Sequence, residues 1–570
     1  MCGIAGIIGA SHFKENMQKM LESMGHRGPD HSAIYKSKNC ILGHNRLSII
    51  DLSEDANQPF IDPTGRYHLV FNGEIYNYKE LREEIGNRYQ FRTSSDTEVL
   101  LASYIIYGKD CLEKLNGMFA FAIWDQDKKK VFAARDRFGV KPFYYSHNQG
   151  SFIFCSEIKA IHTIVNKVVN ETAWANYFSY GSYGMPEETF YSNISQLPGG
   201  YFLEYQEGSL QKYCWYNFEK RIKDGASDSG SEAEIKNNYL NLLEDAIKLR
   251  FRADVQVGFN LSGGVDSSLL LALVNHLHPN HNIRAYTFYT GDERYDELPW
   301  VEQMIANTGN PLEMVRLNSA EVPQLAEIIS DYQDEPFGGI PTLAYSKIFR
   351  QASEDGMKVL LDGQGMDEQW AGYDYYSSNT NNLIQGVGKE SAFKPEVLSR
   401  DFGELGKQPQ YPEPFSSRVQ NLQYRDLFYT KLPRTLRFND RVSMAASTEL
   451  REPFLDYRLV EFAFGLPENM KIRGGVHKFL LREIVKEFVP FEVAEAPKRP
   501  LQTPQREWLG SELVPFVEQS LQDLKECRYA IWFDFDLMER EWKSYRKNEK
   551  GHSFFLWQWI NTALLLKNYQ

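Results

Sequence analysis

From residue 1 to about 215, apolar positions come in short runs broken by Gly, Asn, Asp and Pro. The runs 4–8, 68–71, 118–124, 131–134 and 152–155 have the length and the alternation of strands. Two helices are predicted among them, over 78–86 and over 96–107, the second with Asp96 as its N-cap. These elements predict a sheet-rich α+β domain over 1–215. The stretch 221–238 is polar and has no aromatic residue, which marks a linker. A helix is predicted over 239–249, and then the period changes. Strands over 255–261, 284–289 and 357–361 alternate with loops and apolar helices such as 267–277, the signature of a parallel, doubly wound α/β sheet. After about residue 375 the pattern is helical to the aromatic tail at Phe554, Phe555, Trp557 and Trp559. The second domain is therefore 239–570.

Composition narrows the classes. A chain of 570 residues needs more than one ordinary domain, and 42% hydrophobic content supplies the cores. A net charge of −13 argues against a general binder of nucleic acid or of anionic membranes. Six scattered cysteines without a Cys-x-x-Cys pair suggest neither a disulfide framework nor a zinc knuckle. No run approaches the ~20 apolar residues of a membrane span. A cytoplasmic protein is expected.

Three places carry chemistry. Removal of Met1 would leave Cys2 with a thiol and a free α-amine, whose reference pKa values are about 8.5 and about 8. That near match favours general-base activation of the thiol by the amine. The second place is Ser262-Gly263-Gly264-Val265-Asp266-Ser267-Ser268, between a strand and a helix. Its glycines let backbone N–H groups approach an anion, and the helix N-terminus adds partial positive charge. Asp266 would repel phosphate and makes sense as a ligand of Mg²⁺. The third is Asp362-Gly363-Gln364-Gly365-Met366-Asp367-Glu368, which also follows a strand. Ligands of open α/β sheets sit at the carboxyl ends of strands, so both loops should face one crevice, with Asp266 and Asp367 sharing Mg²⁺ on a triphosphate. Lys478, Lys498 and Arg499 are candidate cations for that crevice. No Walker A pattern occurs, which excludes a P-loop kinase or GTPase.

Many short motifs then match one family in the right order. They are Cys2-Gly3-Ile4, His26-Arg27-Gly28-Pro29-Asp30, His44-Asn45-Arg46-Leu47-Ser48-Ile49, Phe71-Asn72-Gly73-Glu74-Ile75-Tyr76-Asn77, Ser95-Asp96-Thr97-Glu98, Gly117-Met118-Phe119-Ala120-Phe121 and Arg135-Asp136 in the amino half. In the other half they are the Ser-Gly-Gly-x-Asp-Ser loop, Asn439-Asp440-Arg441-Val442-Ser443-Met444 and Glu452-Pro453-Phe454-Leu455-Asp456. Over nearly its whole length the chain resembles glutamine-hydrolysing asparagine synthetases. The resemblance implies a class II glutamine amidotransferase domain of the N-terminal-nucleophile hydrolase type, followed by an ATP-pyrophosphatase-type synthetase domain. It implies that Cys2 attacks the amide of glutamine, that Asn72 and the Gly73 N–H hold the oxyanion, that Arg46 clamps the α-carboxylate, and that Glu74 and Asp96 take the α-ammonium. It implies ATP binding by Ser262, Gly263, Gly264, Asp266, Ser267, Ser268 and Gly363, and Mg²⁺ on Asp266 and Asp367. Lys478 matches the lysine that meets the phosphates in the transition state. Ammonia would pass through an internal tunnel to an acyl-adenylate.

One departure concerns the acceptor. Many relatives carry Ser-Gly-Glu-Gly-x-Asp-Glu where this chain has Asp362-Gly363-Gln364-Gly365-Met366-Asp367-Glu368, so a glutamate that handles the acceptor is here Gln364. The segment 335–342 also lacks an arginine that some members place near the acceptor. Aspartate is the favoured acceptor. The same chemistry on another carboxylate, a sugar uronate or a natural-product acid, is the alternative. Neither a nucleic acid nor a membrane partner is expected, and a homodimer is a candidate assembly.

Overall fold

The structure is a computed structural model, described here for residues 2–9, 14–148, 150–225, 230–279, 283–378, 392–496, 503–547 and 551–567. Two antiparallel sheets of six strands face each other in the amino-terminal half. One runs in the order Ser195–Gln196, Tyr144–Asn148, Ser151–Cys155, Gly3–Ile8, Cys40–Arg46, His31–Lys36. The other runs Ser209–Cys214, Tyr201–Gln206, Lys130–Arg135, Gly117–Asp125, Tyr67–Ile75, Phe60–Ile61. Period-two alternation builds the layers. Ile4 and Ile8 point into the space between the sheets with Val70, Ala120, Ala122 and Phe154. Their neighbours Ala5 and Ile7 face outward, under Met17, Met20 and Leu21 of the helix Lys14–Ser23. Leu69, Phe71, Phe119 and Phe121 face outward from the second sheet, under the helices Tyr78–Ile85 and Asp96–Tyr107. The result is a helix–sheet–sheet–helix sandwich with Cys2 at the start of a central strand.

Two details differ from the sequence reading. Asp96 is not the cap of its helix. Ser95 is, its side chain accepting from the Thr97 N–H at 3.0 Å, because the Asp96 carboxylate is turned away to accept from the Ile75 N–H at 2.9 Å. The polar stretch 221–238 is helical at both ends, in Phe218–Asp224 and Glu232–Arg250. The second of these starts at a capping box of Ser231 and Glu234. Its polarity is that of a solvated helix face.

The second half is built on five parallel strands in the order Leu312–Arg316, Ala285–Tyr289, Val257–Asn260, Val359–Leu361, Glu449–Arg451. Helices cover both faces. Phe259, Ala285 and Leu361 pack under Val265–Leu277, while Tyr286, Leu360 and Leu450 pack under Ile340–Glu354 and Lys431–Ala445. The aromatic tail forms the helix Phe554–Leu566 on the second face, where the Trp557 indole donates to the Phe337 carbonyl at 3.1 Å. Ala173–Phe178, of the helix Glu171–Tyr180, pack into this same core. No helix among the described residues is long and apolar enough to cross a membrane.

Candidate active sites

Cys2 is 8% exposed. Its backbone nitrogen donates to Asn72 Oδ1 at 3.0 Å. That fixes the Asn72 amide so that Nδ2, buried and without a hydrogen-bond partner among the described residues, is left to donate elsewhere. Gly73 follows on the same strand with φ 151, and a Cβ there would lie 2.1 Å from the Met118 carbonyl oxygen. Only glycine fits. Burial pushes the Cys2 thiol up, and the positive charge of Arg46 works against that rise.

Glu74 and Asp96 are both buried beside this site. Burial pushes the Asp96 carboxyl up to about 6. Burial, then the neighbouring carboxylates of Glu449 and Asp96, raise Glu74 well above the usual range. Both shifts favour the neutral carboxyls; a cation placed between them would favour the anions. Arg451, from the parallel sheet of the second half, lies 3.5 Å from Glu74 and 2.6 Å from Glu449. Arg46, expected to clamp the α-carboxylate of glutamine, also bonds its own chain. Its Nη1 donates to the Ser53 carbonyl at 2.7 Å and to Asn57 Oδ1 at 2.9 Å, and its Nη2 to the Asp51 carbonyl. The guanidinium therefore also shapes the loop that follows its own strand.

The two loops of the second half do meet. Their backbones are so close that a Cβ on Gly363 would stand 3.2 Å from the Ser267 nitrogen. Ser262, Gly263, Gly264, Asp266, Ser267, Gly363, Gln364, Asp367 and Lys478 all line one cleft of about 410 Å³. The Ser262 and Ser267 hydroxyls are 3.0 Å apart, and Ser262 Oγ accepts from the Gly264 N–H at 3.4 Å. Ser268 is fully buried, with no hydrogen-bond partner for its hydroxyl among the described residues, and sits below the cleft wall rather than on it. Lys498 and Arg499 lie outside the described residues.

Lys478 has φ 55, a left-handed conformation, and its Nζ stands 2.6 Å from both Asp266 Oδ2 and Asp367 Oδ1. Burial alone would lower its pKa; the two carboxylates outweigh burial and raise it. A Cβ on Gly372 would strike Asp367 Oδ1 at 2.1 Å and Lys478 Cε at 2.4 Å, so glycine is what lets the three approach. The ammonium occupies the ground between the two carboxylates. Among the described residues no cluster of three or more His, Cys, Asp or Glu could hold a metal by protein ligands alone. Two carboxylates fit Mg²⁺ in the form it usually takes on a nucleotide, completed by phosphate oxygens and water.

The cleft also holds residues that the sequence did not single out. Lys431 and Arg434, one helical turn apart on Lys431–Ala445, both line it. Lys431 is buried, with its Nζ 5.1 Å and 5.3 Å from the ring centres of Tyr373 and Tyr375. Burial, then Arg434, push its ammonium down to about 7. Glu368, bonded by the Tyr373 hydroxyl at 2.6 Å, is pushed up to about 7 by burial and then by Asp367. The Lys-x-x-Arg spacing was visible in the sequence, but such a pair on a helix is ordinarily a solvated face. A second cavity of about 570 Å³ shares Tyr183 and Arg434 with the cleft and is lined by aromatic residues and arginines, among them Tyr144, Tyr424, Phe428 and Arg437.

Residues 1–216 match the family described as glutamine amidotransferase domain, and residues 238–567 that described as asparagine synthase. The chain is similar to asparagine synthetase [glutamine-hydrolyzing] 3 of Bacillus subtilis (strain 168), 30% identical over 88% of this chain and 86% of that one. It is similar to asparagine synthetase [glutamine-hydrolyzing] 1 of the same organism, 28% identical over 93% of this chain and 91% of that one. It is also similar to amidase chry2 of Gibberella zeae, 26% identical over 90% of each.

Proposed function

We propose, for a chain that belongs to the asparagine synthase family and carries a glutamine amidotransferase domain ahead of it, that it joins the amide nitrogen of glutamine to a carboxylate at the expense of ATP, and that the carboxylate is aspartate. The single observation behind the synthetase half is the Asp266–Lys478–Asp367 arrangement in a cleft rimmed by a Ser-Gly-Gly loop.

The steps follow from the residues. Cys2, with its proton passed to its own amine, attacks the glutamine carboxamide. Asn72 Nδ2 donates to the oxyanion, a neutral donor suited to a charge that appears only in the transition state. Glu74 and Asp96 hold the substrate ammonium. Ammonia leaves, and water releases glutamate from the thioester. In the cleft the acceptor carboxylate attacks the α-phosphate of ATP, giving an acyl-adenylate and pyrophosphate. Lys478 neutralises charge on the departing pyrophosphate. Mg²⁺, held by Asp266 and Asp367, would supply further charge neutralisation there. Ammonia then displaces AMP, and the amide forms.

A second reading, the same reaction on a larger acid, draws on the cavity that opens beside the cleft through Tyr183 and Arg434, and on a neutral Gln364 where a carboxylate base would otherwise stand. One experiment separates the two. The purified protein is given ATP, Mg²⁺, glutamine and a panel of carboxylic acids, and amide products are read by mass spectrometry. Asparagine is the expected product. An amide formed from a uronate or an aromatic acid, with aspartate untouched, would replace the first reading by the second.

A further inference from the structure

Two motifs of the sequence, His26-Arg27-Gly28-Pro29-Asp30 and Asn439-Asp440-Arg441-Val442-Ser443-Met444, take no part in the chemistry above, yet they meet across the boundary between the two halves. Arg27 is fully buried. Its Nη1 and Nη2 donate to Asp440 at 2.9 Å and 3.2 Å, and Nη1 also donates to Glu157 at 2.8 Å. Its Nε donates to the backbone carbonyl of Cys2 at 3.1 Å. The guanidinium is a rigid planar fork, so a carboxylate that fixes one edge fixes the direction of the remaining N–H. The main chain of Cys2 is thus held at two points, its nitrogen by Asn72 and its carbonyl by Arg27.

Asp440 lies on the helix Lys431–Ala445. The residue before it, Asn439, lines the nucleotide cleft, as do Phe438, Thr435, Arg434 and Lys431. One helix therefore presents one face to the cleft and another to the arginine behind the nucleophile. Around the contact, Arg441 pairs with Glu157 at 3.1 Å and with Asp334 at 3.4 Å, and His26 with Glu157 at 3.0 Å. A mere fastening of two domains would need these pairs. It would not need the bond to the carbonyl of the reacting residue.

We propose that Asp440 is a positioning residue for Cys2: acting through Arg27, it sets the backbone of the nucleophile from the helix that walls the nucleotide cleft, so that nucleotide in the cleft changes the rate of glutamine hydrolysis. The inference rests on the glutaminase reading and is independent of which acid is the acceptor. Helix shifts far below a helical turn suffice, since displacing a reacting group by about 1 Å costs about a hundredfold in rate.

The test measures glutamate release from glutamine by the full chain, with and without MgATP, for the wild type, Asp440→Asn, Asp440→Glu and Arg27→Lys. Asp440→Asn should lower kcat by about tenfold to about a hundredfold, with KM for glutamine near the wild-type value. MgATP should change kcat of the wild type and leave that of Asp440→Asn unmoved. Asp440→Glu, which keeps the charge, should recover part of both. Arg27→Lys should not, because an ammonium gathers its donors on one atom and lacks the planar fork whose three nitrogens reach Cys2, Asp440 and Glu157. Thermal melting and calorimetric ATP binding are read in parallel. Unchanged kcat in Asp440→Asn would overturn the proposal, as would a loss shared equally by KM, melting and ATP binding. A wild type indifferent to MgATP would remove the coupling. A wild type that hydrolyses no glutamine would take the glutaminase reading down first, and this inference with it.

Discussion

At Cys2 the polar groups that would meet substrate are fixed by a sheet: Asn72 and Gly73 are consecutive on the strand Tyr67–Ile75, and Asp96 is tied to that strand through the Ile75 N–H. At the cleft proposed to take ATP the corresponding groups sit on loops and helix ends, and they are paired with one another, as Lys478 is with Asp266 and Asp367. The groups of the first site are buried and held by the main chain. The second is wide, and its charges must part to admit a ligand. The difference follows from what each must bind. A developing oxyanion needs donors that do not move, in a place water does not reach. A triphosphate brings several negative charges and its own metal, and a site built only of unpaired cations would be unstable without it.

That comparison breaks most easily at the nucleophile. Cys2→Ala should reduce glutamine hydrolysis by at least about a thousandfold, while amide formation from free ammonia continues at the wild-type rate. Product assays with glutamine and with ammonium chloride check this, and loss of both would mean that the sites are not separate. Next in size, Asp266→Ala should slow formation of AMP and pyrophosphate by about a hundredfold and keep glutamine hydrolysis, measured without MgATP, within about twofold of wild type. A fall of equal size in both activities would contradict it.

The third prediction uses the raised carboxyl of Asp96. Its folded pKa of about 6 lies above the usual aspartate value, so a proton is taken up as pH falls through 6 and the anion proposed to hold the substrate ammonium is lost. Glutamine kcat/KM should therefore drop below about pH 6. Asp96→Asn should raise KM for glutamine at neutral pH and flatten that limb, leaving the ammonia reaction unchanged; a pH profile in both variants reads it out. The smallest effect is expected from Gln364→Glu, which sets a second carboxylate beside Asp362, itself pushed up to about 6 by burial. It should alter acceptor kcat/KM a few-fold and glutamine hydrolysis not at all, which sharpens the line between the two sites.

What the sequence made legible was local. Alternation along 4–8 and 118–124 predicts strands with one face toward each layer, and the layers are found that way because the side-chain period of a strand is fixed by its backbone. The two loops at strand ends were placed in one crevice by the topology of parallel sheets, and the Gly363–Ser267 approach is that prediction in ångströms. The Gly-rich loop predicts that the Ser268 hydroxyl serves an anion; one residue further along the helix than Ser267, it turns into the core. Nothing local in the sequence distinguishes a basic pair facing a cleft, such as Lys431 and Arg434, from one facing water. The bond between Arg27 and Asp440 spans 413 positions, and only the packing of the two halves creates it.

That bond constrains how such proteins can be assembled from parts. A hybrid enzyme that took its amino half from one relative and its carboxyl half from another would inherit Arg27 and Glu157 from the first parent, Asp334, Asp440 and Arg441 from the second. Any mismatch would leave a charge buried without its partner, at a cost of about 3–5 kcal/mol, a large share of what holds an ordinary domain folded. The five residues form one heritable unit though the chain writes them far apart, and recombination between lineages would have to carry them together.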